Sequence, residues 1–201
     1  MNSLLAVAAA YLLGAIPFGY LLVKVKTGAD VRQSGSGNIG ATNVLRTTGT
    51  AAGVVTLLLD IGKGYLAVWL AGWLTGHSAL IMSAAALAVM AGHAYPVFLK
   101  FRGGKAVASF VGAFLCLTPW ALAADLVVFV AVVAWTRHIS LGSIAAAAAF
   151  PFGVWIILHP EAPVIAAAII AGGFIIYRHS TNIQRIREGT EHVFSLGAGR
   201  H

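Results

Sequence analysis

Uninterrupted apolar runs are the feature that most restricts this chain. The first, from Ser3 to Val23, contains no charged residue, and similar runs follow to the end of the seventies, the nineties and beyond. In water, helices of this kind need a polar covering, and little is on offer. Of 201 residues, 59% are hydrophobic and 9% charged, whereas soluble domains carry about 25% charged residues. A bilayer removes the conflict. Its core is matched by roughly 20 apolar residues per helix, and helices satisfy every backbone donor and acceptor within the span. The strand-sized alternating segments of a membrane barrel are absent. The sequence therefore predicts an all-α, polytopic membrane protein built as one domain over residues 1–201.

About seven spans can be drawn: Leu4–Val23, Val54–Leu74, Ala79–Leu99, Ala106–Leu117, Trp120–Trp135, Ser143–Leu158 and Ala162–Tyr177. The fourth is short for a crossing. The first is too long for a signal-peptide core and lacks a convincing cleavage site, so it reads as a retained helix. Threading these spans sorts the connections into two sets. The short joints at Thr75–Ser78, Pro119 and His159–Glu161 carry no Lys or Arg, and all 13 such residues, from Lys24 to Arg200, fall in the other set. By the positive-inside rule this places the N-terminus outside and the C-terminus in the cytosol. Small-residue runs such as Ala84–Ala86 and Ala145–Ala149 allow close packing, so the bundle should be compact. The lone Cys116 excludes a disulfide framework and a thiolate metal site. The net charge of +7 fits cytosolic flanks or an anionic substrate better than nucleic acid in so apolar a chain.

Three polar segments carry the chemistry. The first contains Ser34, Gly35, Ser36, Gly37, Asn38, Gly40, Ala41, Thr42, Asn43 and Arg46. Glycines let amides converge on an oxyanion, a helix beginning after Gly40 would present its N-terminal amides to a phosphate, and Arg46 would add a planar cationic fork. A capped, glycine-rich turn in a solvated loop is the competing explanation. The second segment sets Lys100, Arg102 and Lys105 around Gly103 and Gly104 before an apolar helix. It reads as a second phosphate cradle, or else as a topogenic basic flank. His93, near the end of the third span, suits capping or polar packing at least as well as catalysis. In the third segment His179 and Asn182 share a helix face at i,i+3 spacing, with Arg185 three residues on. Asp60 and Lys63, also i,i+3, read as a structural ion pair in a costly medium. Ser140 reads as a helix cap, and Ser143 could also reach a ligand. No metal-ligand set, G-x-S-x-G elbow or H-x4-D pair is present.

The segments SGSGNIGATNVLR (Ser34–Arg46), GHAYPVFLKFRGGKAVAS (Gly92–Ser109) and RHSTNIQR (Arg178–Arg185) occur in the order and spacing of a known family. With LDIGKG (Leu59–Gly64) and SLGS (Ser140–Ser143), nearly the whole chain resembles the bacterial membrane glycerol-3-phosphate acyltransferases that use acyl-phosphate as donor. The resemblance implies a seven-helix fold in the bacterial cytoplasmic membrane, with the active site facing the cytosol. It also implies that Ser36, Gly37, Asn38, Gly40, Ala41, Thr42, Asn43, Gly103 and Gly104 bind substrate, with the Gly37–Thr42 backbone serving the donor phosphate. Arg46, Lys105, Ser143, His179 and Asn182 would form the polar catalytic set. One departure stands out: the family commonly has glycine after the motif lysine, and this chain has Ala106.

Acyl-phosphate is already activated, so no acyl-enzyme is required. The expected reaction is attack by the 1-hydroxyl of sn-glycerol 3-phosphate on the acyl carbonyl, giving lysophosphatidic acid and inorganic phosphate. A phosphate oxygen of the donor would assist proton removal, with His179 orienting the substrate or, alternatively, acting as base. The expected partners are glycerol 3-phosphate, acyl-phosphate and membrane lipid, with no cofactor, no metal and no nucleic acid, in a monomer. Another phospholipid-headgroup transferase and a transporter of a small phosphorylated anion are the alternatives from other classes.

Overall fold

A computed structural model describes residues 2–194; Arg200 of the basic set lies outside them. The described residues form ten α-helices and two single 3-10 turns, with no strand among them. They fall into two compact units, one within Met1–Cys116 and the other within Leu117–His201.

In the first unit, α1 (Asn2–Ala15) and α2 (Phe18–Thr27) replace the single helix expected over Leu4–Val23. Pro17 is the reason. It has no N–H to continue the ladder and its ring crowds the preceding turn, so the chain breaks between Ala15 and Phe18. α3 (Ala41–Thr48) begins directly after Gly40, where the sequence placed a helix start. The remaining helices of the unit are α4 (Thr50–Leu74), α5 (Ala79–Ala94) and α6 (Val107–Leu117). Their packing relies on glycines at crossings. A Cβ on Gly14 would fall on the Val89 carbonyl, and one on Gly92 would fall on the Tyr11 carbonyl, so α1 and α5 meet backbone to backbone. Gly64 and Gly112 make the same reciprocal contact between α4 and α6, against Ser109 and Ile61. This is small-residue packing of membrane helices, in which dispersion and backbone proximity replace the hydrophobic effect.

The second unit contains α7 (Pro119–Thr136), α8 (Ile139–Leu158), α9 (Ala162–Arg178) and α10 (Ser180–Arg187). Pro119 opens α7, the position where a missing N–H is harmless. α7 packs on α8, and α8 on α9, where Gly172 lies against the Ala147 carbonyl. α10 turns away from α9 by 54° at His179.

Five helical segments are long and apolar enough to cross a bilayer, and the bent α9–α10 pair would be a sixth. α6, with 11 residues, is the short helix the sequence foresaw. At about 1.5 Å per residue it covers roughly half of a ~30 Å hydrocarbon core. The outer faces are apolar, and Trp73, Trp120 and Trp135 are exposed at helix ends, the position that suits an amphipathic ring at a membrane surface.

Ala106, immediately before α6, has φ +64° and is fully buried. A side chain held in the left-handed region costs about 1–2 kcal/mol, which glycine escapes. The expected glycine is therefore explained by backbone conformation, and this chain carries the strain instead. Ala106→Gly should stabilise the protein by about 1 kcal/mol, read as a higher melting temperature of the purified protein in detergent.

Candidate active site

The glycine-rich segment before α3 is organised by one side chain. Asn43 is buried, and its Oδ1 accepts from the Ser36 amide at 2.9 Å. Its Nδ2 donates towards the carbonyls of Val31 (3.2 Å), Ser34 (3.1 Å) and Asn38 (2.8 Å). Asn38 in turn accepts the Gly40 amide on its own side chain at 2.8 Å, and the Gly37 amide reaches the Ser34 carbonyl at 3.0 Å. Gly35, with φ +58°, passes so close that a Cβ would strike Asn43 Oδ1.

Asn43 and Asn38, expected to bind substrate, have their amide groups engaged in folding the loop. The amides of Ser36, Gly37 and Gly40 are engaged likewise. The Ser36 hydroxyl and the amides of Ala41 and Thr42 take no part in these bonds. These two open α3 beyond Gly40, which supplies no side-chain cap. Arg46 follows Thr42 by four residues, so both lie on one face, and helical side chains lean toward the N-terminus. Backbone donors, the positive end of a helix and a guanidinium thus share one face of α3.

The second segment is built differently from the expected cradle. Gly103 N–H donates to the Ala94 carbonyl and Gly104 N–H to the His93 carbonyl, each at 3.1 Å. Neither glycine has a positive φ. Their lack of a side chain serves close approach instead: a Cβ on Gly103 would strike the His93 carbonyl, and one on Gly104 would strike His93 Nε2. These two amides are therefore engaged within the protein, on the carbonyls of Ala94 and His93.

His93 itself is buried, and its Nδ1 lies 3.2 Å from Ser109 Oγ and 3.6 Å from Asp60 Oδ1. Asp60 pairs with Lys63 at 2.7 Å, both side chains being 3% exposed. This is the structural ion pair expected from their spacing. Lys63 also donates to the Ile16 carbonyl at 2.9 Å, at the break that Pro17 creates.

In the second unit, His179 sits at the α9–α10 bend, and its Nδ1 lies 2.7 Å from the Ile175 carbonyl. A carbonyl only accepts, so Nδ1 carries the proton. Ser143 Oγ donates to the Ile139 carbonyl at 3.0 Å. Ser140 is not the expected cap, because α8 starts at Ile139, and its hydroxyl donates to Glu191 at 2.9 Å. Glu191, 5% exposed, also accepts from Asn182 Nδ2 and Arg185 Nε, each at 2.7 Å. The Phe194 amide then donates to the Arg137 carbonyl at 2.7 Å, which ties the chain after α10 to the start of α8.

Residues 4–189 match the model of the family described as glycerol-3-phosphate acyltransferase. The chain belongs to that family. A glycerol-3-phosphate acyltransferase of Trichlorobacter lovleyi is 48% identical over 188 residues, 94% of this chain and 95% of that protein. One from Thermosynechococcus vestitus is 44% identical over 191 residues, 90% of each. Among solved structures, the glycerol 3-phosphate form of PlsY (YgiH), an integral membrane glycerol 3-phosphate acyltransferase, superposes with a TM-score of 0.92. It has 38% identity and covers 97% of this chain and 96% of that one. The lysophosphatidic acid form gives 0.88. The chain is an all-α, multi-spanning membrane acyltransferase.

Sequence reasoning did not single out Glu191. Its signal was one of two acidic residues, with Glu188, just beyond a basic helix, and spacing alone cannot connect it to Ser140 fifty-one positions away. Burial of the Glu191 carboxyl works to raise its pKa, but hydrogen bonds from Arg185, Asn182 and Ser140 outweigh this and hold it below the ordinary glutamate range. A depressed folded-state pKa means the anchor is complete above the unfolded value and is lost as pH falls through the folded one. Hydrogen exchange at 190–194 should therefore rise only in acid below the ordinary glutamate range, and Glu191→Gln should show the raised exchange already at neutral pH.

Proposed function

We propose that the Ser36 hydroxyl, the opening amides of α3, Arg46 and Lys105 hold the phosphates on which an acyl transfer depends. The reaction is transfer of the acyl group from acyl-phosphate to the 1-hydroxyl of sn-glycerol 3-phosphate, giving lysophosphatidic acid and inorganic phosphate. The acceptor hydroxyl attacks the acyl carbonyl, the bond from the acyl carbon to the phosphate oxygen breaks, and the proton passes to a phosphate oxygen of the donor. The departing phosphate carries negative charge, and fixed cations and amides stabilise it without reorganising. His179, with Nδ1 tied to the Ile175 carbonyl, orients the substrates. Asn182 and Ser143 are the further polar residues of the proposed catalytic set.

The observation that carries this reading is the face of α3. Its first amides have no side-chain cap, and Arg46 follows one turn later. Such a face favours a phosphate over a neutral headgroup. The family match runs through both compact units, from residue 4 to residue 189, and supports a single functional domain.

We further propose seven crossings, with α6 as the short fourth, the N-terminus outside and the C-terminus and reaction site on the cytosolic side of the bacterial inner membrane. The confinement of Lys and Arg to one set of connections supports this orientation.

Purified protein supplied in turn with acyl-phosphate, acyl-CoA and acyl-carrier protein should form lysophosphatidic acid only from acyl-phosphate. Equal product from acyl-CoA would refute the donor assignment. Arg46→Ala and Lys105→Ala should each lower kcat/KM by about 100- to 1,000-fold, the scale of losing one preorganised charge-stabilising donor, with melting temperatures unchanged. Near-normal turnover in both would sink their roles.

A further inference from the structure

Lys105 sits between two points that are both fixed on His93. On its N-terminal side, the Gly104 amide donates to the His93 carbonyl at 3.1 Å, and the Gly104 backbone lies directly against the imidazole. On its C-terminal side, in the first turn of α6, Ser109 Oγ lies 3.2 Å from His93 Nδ1. The imidazole is buried and borders the Asp60–Lys63 pair, with Asp60 Oδ1 3.6 Å from the same nitrogen. That pair is in turn attached to the Ile16 carbonyl at the α1–α2 break. The ring thus stands on a rigid base and touches the chain on either side of the lysine.

We propose that His93 is the positioning residue for Lys105, and that Gly104 is required because an imidazole occupies the space a side chain would need. A glycine before a cationic residue invites the explanation that a phosphate approaches its backbone. Here the amide is already bonded to the His93 carbonyl, and the atoms a Cβ would meet first are Nε2, Cδ2 and Cε1 of His93. The inference rests on Lys105 acting as a substrate-phosphate donor, as in the function proposed above.

The two explanations of Gly104 separate in a double-mutant cycle. Asparagine at 93 can keep a polar group near the Nδ1 position, facing Ser109, while vacating the Nε2 end of the ring. Gly104→Ala alone should lower kcat/KM for glycerol 3-phosphate about 100-fold, the scale of a displacement near 1 Å at a catalytic group. In the His93→Asn background the same change should cost less than about tenfold, because the clash is gone. An equal loss in both backgrounds, or no loss in the first, overturns the inference. Ser109→Ala, a change any helix tolerates, releases the other anchor. It should raise KM for glycerol 3-phosphate severalfold at an unchanged melting temperature, and unchanged kinetics there also overturn the inference. It carries the test alone if His93→Asn is too unstable to assay. Lys105→Ala, measured beside these variants, tells the two levels apart. If it is near normal, the role of Lys105 itself falls; if it collapses while the cycle is additive, only the positioning role of His93 falls.

Discussion

Helices in this protein touch through their backbones. Gly14 against Val89 and Gly92 against Tyr11 bring α1 and α5 together, and Gly64 and Gly112 do the same for α4 and α6. Lipid competes with apolar side chains for contact as effectively as another helix does, so association must come from close packing and from polar groups brought within reach. Both follow here from the glycines. With α1, α4 and α5 this near, a lysine on α4 reaches the Ile16 carbonyl at the break beside Pro17. A larger residue at those crossings would move the helices apart and leave buried charge without its partners, which is far more costly than the packing lost.

The buried Asp60–Lys63 pair joins that scaffold to the polar segments. It lies beside His93, whose carbonyl and ring hold the chain that carries Lys105. The glycine-rich segment before α3 achieves comparable rigidity by another route, with the Asn43 side chain bonding to three carbonyls and one amide. In both segments polar groups are consumed in holding shape, which accounts for the density of Gly, Ser and Asn around residues 34–46.

The second unit applies the same logic at its polar end. Glu191 gathers Ser140, Asn182 and Arg185 on one carboxylate, and the Ile175 carbonyl fixes the protonated nitrogen of His179. A charged acceptor shared by three donors is stronger than three neutral bonds. It sets the orientation of Asn182, which the helix backbone leaves open.

By itself the sequence determined the solvent and the chemistry. Apolar runs with so few charges have to lie in lipid, and motifs in a set order marked the acyltransferase family. The start of α3 after Gly40, the shortness of α6 and the pairing of Asp60 with Lys63 were legible too, because each depends on residues within one or two helical turns. Tertiary structure alone decided which polar groups are engaged in holding the fold. That Asn43 folds its loop, that Gly103 and Gly104 make room for residues 93–96, and that Glu191 reaches Ser140 depend on contacts between distant segments. Spacing records neighbours along a helix, whereas a hydrogen bond between remote residues exists only once packing has brought them together.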